Sequence, residues 1–318
     1  MPKPLYRNAW KKGPASSPEL ARAFFEQVLW SGKPKCGYCG SLNVSKCKDT
    51  ELKKGYFRCR DCDKRFTVCT GTIMARTHLT LDIWLKAILI LKAERFGCPS
   101  TSLSRHLGIM QKTAWLLLHK IRKAMEENDP LTMTGTVEVD ETYIGGKFKN
   151  FKKSIYIPKV IKTKADGTYE KHFNKMFVMG CFERGTGRVI MQCVKALDGE
   201  TMEGFVSRFI APNSTLYTDT AKGYSNLISN YAHDSVNHKK HEYKRGDVST
   251  NGIESVWNNL KGRYRRCIWW SRKHIHRYLH QAMFAYNHAR ESTDDRVATE
   301  FLIRNFPGRQ LTYNQLVA

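Results

Sequence analysis

The sequence predicts an α/β protein built on a mixed sheet, preceded by a cysteine-rich module and a run of helices. Three observations carry this. Thr136-Val137-Glu138-Val139-Asp140 alternates with the period of a half-buried strand, and the apolar runs Met176 to Phe182 and Arg188 to Val194 flank Glu183-Arg184-Gly185-Thr186-Gly187 in a hairpin pattern. After them, helical and strand patterns alternate, as they do in α/β domains. Ahead of them, residues 31–70 are rich in cysteine and turn formers, and residues 80–126 have helical periodicity.

In chain order, residues 1–20 are rich in Pro, Lys and Ser and read as a loose arm, and Glu19 to Trp30 has apolar residues at helical spacing. Leu81 to Lys92 is expected to be a helix. A second starts at Pro99-Ser100, with Ser100 or Thr101 as its cap, and breaks at Gly108; a third spans Gln111 to Met125. Asn128-Asp129-Pro130 marks a boundary. Beyond the hairpin come a helix over Gly199 to Phe209, a strand over Thr215 to Asp219, and helices over Ala221 to Asn230, Gly252 to Arg263 and Lys273 to Ala289. The expected units are an arm and helix (1–30), a cysteine-rich module (31–72), a helical domain (78–128), an α/β domain (133–292) and a C-terminal tail (293–318).

Charge narrows the class of partner. Fifty-three Lys and Arg against 29 Asp and Glu give a net charge of +24. A field of that sign attracts polyanions, chiefly nucleic acid. No apolar run of about 18 residues predicts a membrane span, and the opening Met1-Pro2-Lys3-Pro4 lacks a signal-peptide core. Membrane is therefore excluded as a partner and an intracellular, cytoplasmic location is expected. The ten cysteines then read as thiols and metal ligands, not as a disulfide framework.

Cys36-Gly37-Tyr38-Cys39 and Cys59-Arg60-Asp61-Cys62 are two C-x-x-C knuckles with 19 residues between them. Each supplies two thiolates from one turn, which is what tetrahedral zinc requires. A redox pair or chance clustering does not explain two knuckles at this spacing. Cys47 and Cys69 are left over and read as buried small hydrophobes. Ser100 to Lys123 has a helix-turn-helix pattern, in which Lys112, Thr113, His119, Lys120, Arg122 and Lys123 are candidates to face DNA. A helical bundle with a solvated basic face is the bland alternative.

Two aspartates close predicted strands, Asp140 and Asp219, and Glu254 lies early in a helix whose apolar stripe is Ile253, Val256, Trp257 and Leu260. Glu254 and Lys261 fall within about 20° of each other at the edge of that stripe. Three carboxylates so placed can converge on two magnesium ions, which suits phosphoryl chemistry. Each carboxylate alone would be an ordinary surface charge.

At these residues the chain resembles the zinc-ribbon DDE transposases of bacterial insertion sequences, the group related to eukaryotic Merlin elements. The resemblance rests on Cys36 to Thr72, Val137 to Lys147, Tyr217-Thr218-Asp219, Tyr243-Lys244-Arg245-Gly246, Asn251 to Trp257 and His274 to Tyr278, in one order across residues 30–290. It implies a ribonuclease-H-like core and DNA transposition: hydrolysis at a transposon end, then attack of the freed 3′ hydroxyl on target DNA. It carries the catalytic acids onto Asp140, Asp219 and Glu254, with magnesium or manganese as cofactor, and Lys261 onto a phosphate-holding base. The gap from Asp219 to Glu254, 35 residues, is typical of such triads. Relatives with Asn in place of the third acid leave Asn251, one turn earlier, as the alternative ligand. The implied partners are the terminal inverted repeats, target DNA and further copies of the chain, at the bacterial nucleoid, or in the nucleus if the host is eukaryotic.

Two basic stretches stand beside this core. Residues 147–175 hold nine lysines against Asp166 and Glu170, either a solvated loop or a clamp on the DNA backbone. Between Ser255 and Arg290 there is no acidic residue, and Arg263, Arg265 and Arg266 are the main candidates for phosphate contact. Trp269 and Trp270 there are either base-stacking or core residues. The rival functions are a non-catalytic DNA-binding regulator derived from a transposase, and a nuclease that only cleaves.

Overall fold

The computed structural model describes residues 12–47, 55–94, 96–127, 132–145, 175–219, 231–236, 242, 244–267, 270–288 and 295–318. The chain divides into two compact units, residues 1–126 with 288–318, and residues 127–287.

The first unit opens with α1 (Pro18–Trp30). Ser17 caps it by accepting from the Leu20 amide, and Ser31 ends it in the left-handed region. Three short strands follow, β1 (Val44–Lys46), β2 (Phe57–Cys59) and β3 (Arg65–Phe66), paired antiparallel in that order. Their core is small: Cys36, Phe57, Cys59 and Phe66 are buried, with Trp30 edge-on to both phenylalanine rings. Helices α2 (Leu81–Ala93), α3 (Ser100–Leu107) and α4 (Gln111–Ala124) come next, at the expected places, but the N-cap of α3 is Pro99 rather than Ser100 or Thr101, and no side chain caps it.

The second unit is a five-stranded mixed sheet. Its strands are β4 (Thr136–Ile144), β5 (Met176–Glu183), β6 (Val189–Val194), β7 (Thr215–Asp219) and β8 (Ala232–Val236), ordered β6-β5-β4-β7-β8. β6, β5 and β4 form an antiparallel meander, while β7 and β8 run parallel to β4. This is the ribonuclease-H-like arrangement. On one face Val137, Val139 and Leu216 pack against α5 (Gly199–Phe209), through Met202, Phe205 and Val206. After a short hairpin of β9 (Lys244–Arg245) and β10 (Val248–Ser249), α6 (Asn251–Cys267) and α7 (Ile275–Asn287) cover the other face. The stripe Ile253, Val256, Trp257 and Leu260 is the buried side of α6. Each such side chain contributes about 1.5–3 kcal/mol relative to exposure.

The fifth strand was not expected. Ala232-His233-Asp234-Ser235-Val236 alternates in burial but holds one large apolar residue, as an edge strand can. The C-terminus also differs from the expected tail. α8 (Asp295–Arg304) and α9 (Tyr313–Val317) belong to the first unit. Phe306 packs 6.2 Å from both Phe25 and Trp84, and Arg309 donates to the Lys123 carbonyl. The expected helix over Ala221 to Asn230, residues 147–174 of the basic stretch and Trp269 lie outside the described residues.

Candidate functional site

The four knuckle thiols converge. Cys36 Sγ lies 3.7 Å from Cys62 Sγ, Cys39 Sγ lies 3.6 Å from Cys59 Sγ, and all four sulfurs lie within 4.8 Å of one another. Four sulfurs about 2.3 Å from one zinc stand about 3.8 Å apart at the corners of a tetrahedron, so the set fits that ion. The four thiols hold their protons unequally: the Cys62 backbone N–H, ahead of that of Asp61, pulls the Cys59 thiol down to about 7 against its burial, whereas Cys39 and Cys62 are raised despite the Ser41 and Lys64 backbone donors, by burial and by hydrogen bonds among the thiols. Asp61 fastens the two knuckle loops, accepting from Ser41 Oγ at 2.5 Å and Asn43 Nδ2 at 2.8 Å. Cys47 and Cys69 stay outside the cluster and are half-buried rather than buried.

Asp140 and Asp219 lie on one face of the sheet, and Glu254 is on α6, the helix that covers that face. β4 and β7 pair in parallel with Glu138 opposite Tyr217, and two more residues in that register bring Asp140 level with Asp219. Side chains alternate, so Glu138, Asp140, Tyr217 and Asp219 face away from α5 and toward α6. Trp257 of α6 donates its Nε1–H to Asp140 Oδ2 at 2.8 Å. Glu254 lies one helical turn earlier, with Thr250 Oγ1 3.5 Å from its Oε1. The Asp140 carboxyl is pushed up to about 7, first by burial and then by the charge of Glu141 and more weakly of Asp219; the Trp257 donor works against this. Among the described residues no three carboxylates gather as closely as the four thiols. Asn251 and Lys261 are exposed on α6.

The DNA-facing candidates separate. Lys112, Arg265 and Arg266 are exposed and Lys123 is half-exposed beside Glu126. His119 and Arg122 are buried, and Lys120 nearly so, because these positions turn the far side of α4 into its own unit. Arg263 is also buried, its Nε donating to Asn259. None of these four therefore lies on an open DNA-facing surface as expected; Lys120 instead lines a cavity beside α4. Trp270 is core: it stacks on Tyr278 at 4.7 Å and meets Tyr264 edge-on.

Comparison with known proteins decides the family. Residues 132–287 match the ISXO2-like transposase domain, and residues 16–65 match the transposase zinc-ribbon domain. The chain belongs to the zinc-ribbon DDE transposases of insertion sequences. It is 25% identical over 242 residues to an uncharacterized protein in transposable element ISH50 of Halobacterium salinarum, covering 75% of this chain and 80% of that protein. An uncharacterized transposase-like protein of Haemophilus influenzae is 25% identical over 103 residues, 32% of this chain and 83% of its own length. A simian T-cell lymphotropic virus intasome in complex with PP2A regulatory subunit B56 gamma aligns at 14% identity and a TM-score of 0.31, covering 60% of this chain and 65% of that one.

In this transposase, two supports of the acid face escaped the sequence reading. Glu138 is buried; its Oε2 accepts from the Ile253 amide at 2.9 Å and its Oε1 from Arg184 Nε at 2.7 Å. Arg184 also donates to the Asp247 and Ser249 carbonyls, which ties the β9–β10 hairpin to the sheet. The second support is Gly180, opposite Asp140 on β5: a Cβ there would lie 2.5 Å from the Trp257 ring. Only glycine lets the indole lie on the sheet and reach Asp140. The cue was an acid flanked by two valines in a buried strand, where an unpaired charge is too costly to persist.

Proposed function

We propose that the chain cuts DNA at the ends of its element and joins the freed 3′ hydroxyl to target DNA, using Asp140, Asp219 and Glu254. The observation that carries this reading is the parallel pairing of β4 with β7 on the face that α6 covers: two residues beyond its last pair, Glu138 with Tyr217, the same register reaches Asp140 and Asp219. Asp140 and Asp219 would hold magnesium, with Glu254 completing the set and Asn251 beside it. Divalent cations supply charge neutralisation at the phosphate and activation of the attacking oxygen. Glu138 and Arg184 fix the start of α6, Trp257 fixes the Asp140 carboxylate, and Lys261 holds a neighbouring phosphate. The ribbon and the α3–α4 helix-turn-helix, led by Lys112, would read the terminal repeats, and synapsis of two ends calls for a multimer. Labelled end DNA, incubated with magnesium and run beside a gel shift, tests this: specific nicking supports it, and end binding without nicking would make the chain a regulator.

Trp257→Phe keeps the ring and removes the donor. It should lower the nicking rate about 10- to 100-fold with unchanged DNA affinity, and lower the melting temperature modestly because a smaller ring fills the buried position. Gly180→Ala should do the same to the rate and also cost about 1–3 kcal/mol of stability, read by denaturant melts, because the indole is displaced. Wild-type rates in both would remove Trp257 from the site.

Salt dependence tests the exposed arginines. Neutralising Arg265 and Arg266 should flatten the log–log slope of DNA affinity against salt by up to about two units. Adding Arg263→Ala should flatten it no further, since that guanidinium is buried. A third unit of change would put Arg263 on the phosphates.

A further inference from the structure

A cavity of about 340 Å³ lies in the first unit, between the 76–79 loop and one face of α4. That volume suits a small organic group rather than a water or a bare ion. Its rim is cationic: Arg76, His78 and Lys112 are exposed there, and Lys120 reaches in from α4 with only 9% of its surface exposed. None of the lining side chains is acidic. The Lys120 ammonium has the Ala75 carbonyl at 3.4 Å and the Trp84 ring at 5.8 Å, and no carboxylate within ion-pair distance among the described residues. Burial pushes that ammonium below its ordinary value, and an arriving anion would offset this by stabilising the charged form.

The walls ask for more than an anion. Leu79, Leu116 and the edge of Trp84 are apolar, and the Tyr313 ring lines the cavity with Lys112 Nζ 4.3 Å from its centroid. A phosphate alone would satisfy the cations and leave these surfaces wet. A planar aromatic group joined to a phosphate satisfies both. A paired duplex offers its phosphates on a convex surface and keeps its bases stacked, so it has no free base to place against these walls.

We infer that this cavity binds one unpaired nucleotide of a DNA strand, its base against the apolar wall and its phosphate among Arg76, Lys112 and Lys120. The inference rests on the transposase reading for the identity of the polyanion. It adds a recognition element, for a nucleotide extruded from the duplex, in the unit that carries the zinc ribbon. The helical pattern puts Lys112 and Lys120 among residues that face DNA and gives no sign of the concavity between them.

The test uses the zinc-loaded full chain and two labelled duplexes of equal length, one fully paired and one with a single unpaired thymidine. Anisotropy should show binding of the second about tenfold tighter, the worth of one stacked base. Leu116→Trp and Leu79→Trp, each filling the cavity, should bring the ratio to one while leaving paired-duplex affinity as in the wild type. Zinc content and melting temperature show which variants are folded. Thymidine monophosphate should compete for the unpaired nucleotide better than inorganic phosphate does. Equal affinity of the wild type for both duplexes, a preference that survives both tryptophans, or equal competition by phosphate would overturn the inference. Failure to bind either duplex would overturn the transposase reading beneath it.

Discussion

Asp140→Asn should abolish magnesium-dependent nicking of end DNA by several orders of magnitude while end binding persists. The change keeps the size of the side chain and an oxygen for the Trp257 N–H, 2.8 Å away, but removes the charge that would hold a divalent ion. Binding should hold or tighten, because a negative charge near phosphate is lost. The same position gives a pH signature without added magnesium. The folded carboxyl stands at about 7, against roughly 3.9 in an unfolded chain. An acid raised on folding contributes stability that is full below its unfolded value and is lost as pH rises through its folded one. The melting temperature of the wild type should therefore fall between about pH 4 and 7 relative to Asp140→Asn. A cation takes the place of that proton, so magnesium should restore stability most near and above pH 7. Parallel melting curves for the two proteins across that range would detach Asp140 from its buried, negatively charged surroundings.

The second large effect is loss of zinc. The ribbon buries two cysteines and two phenylalanines around Trp30, too little apolar surface to fold three short strands alone. Apparent binding of a structural zinc, about 10–16 kcal/mol, exceeds anything that core supplies. Elemental analysis should give about one zinc per chain. Cys36→Ser should lose it and unfold the ribbon, exposing Trp30 and shifting its emission to the red. Cys47→Ser should keep the metal, since that thiol lies outside the cluster. Unchanged zinc in Cys36→Ser would end the assignment.

The contrast between these sites explains what was legible. The zinc ligands are local: two short motifs name them, and folding only brings the pairs together. The strands and helices with strong periodicity, such as α5 and β7, fall where the pattern put them. The supports of the acid face are non-local. Nothing near Gly180 says that an indole from α6, far along the chain, will lie on it, and Glu138 reads as a polar strand residue until Ile253 and Arg184 arrive. The basic residues failed for another reason. A helical wheel says which residues share a face, but not which face the neighbours cover, so Arg122 and Lys120 read as DNA-facing although both are buried. One missed element was readable: Thr312-Tyr313-Asn314-Gln315 has the spacing of a capping box, and Thr312 and Gln315 form one at the start of α9.

The most direct test of the central claim is strand transfer. Oligonucleotides ending in the element's own terminal repeat, with a free 3′ hydroxyl, are incubated with plasmid, magnesium and protein, and joined products are resolved on a gel. The wild type should join the 3′ end to plasmid; Asp219→Asn and Glu254→Gln should bind the end and join nothing, and Asn251→Ala should be impaired less than Glu254→Gln. Undiminished joining by Asp219→Asn would contradict the account.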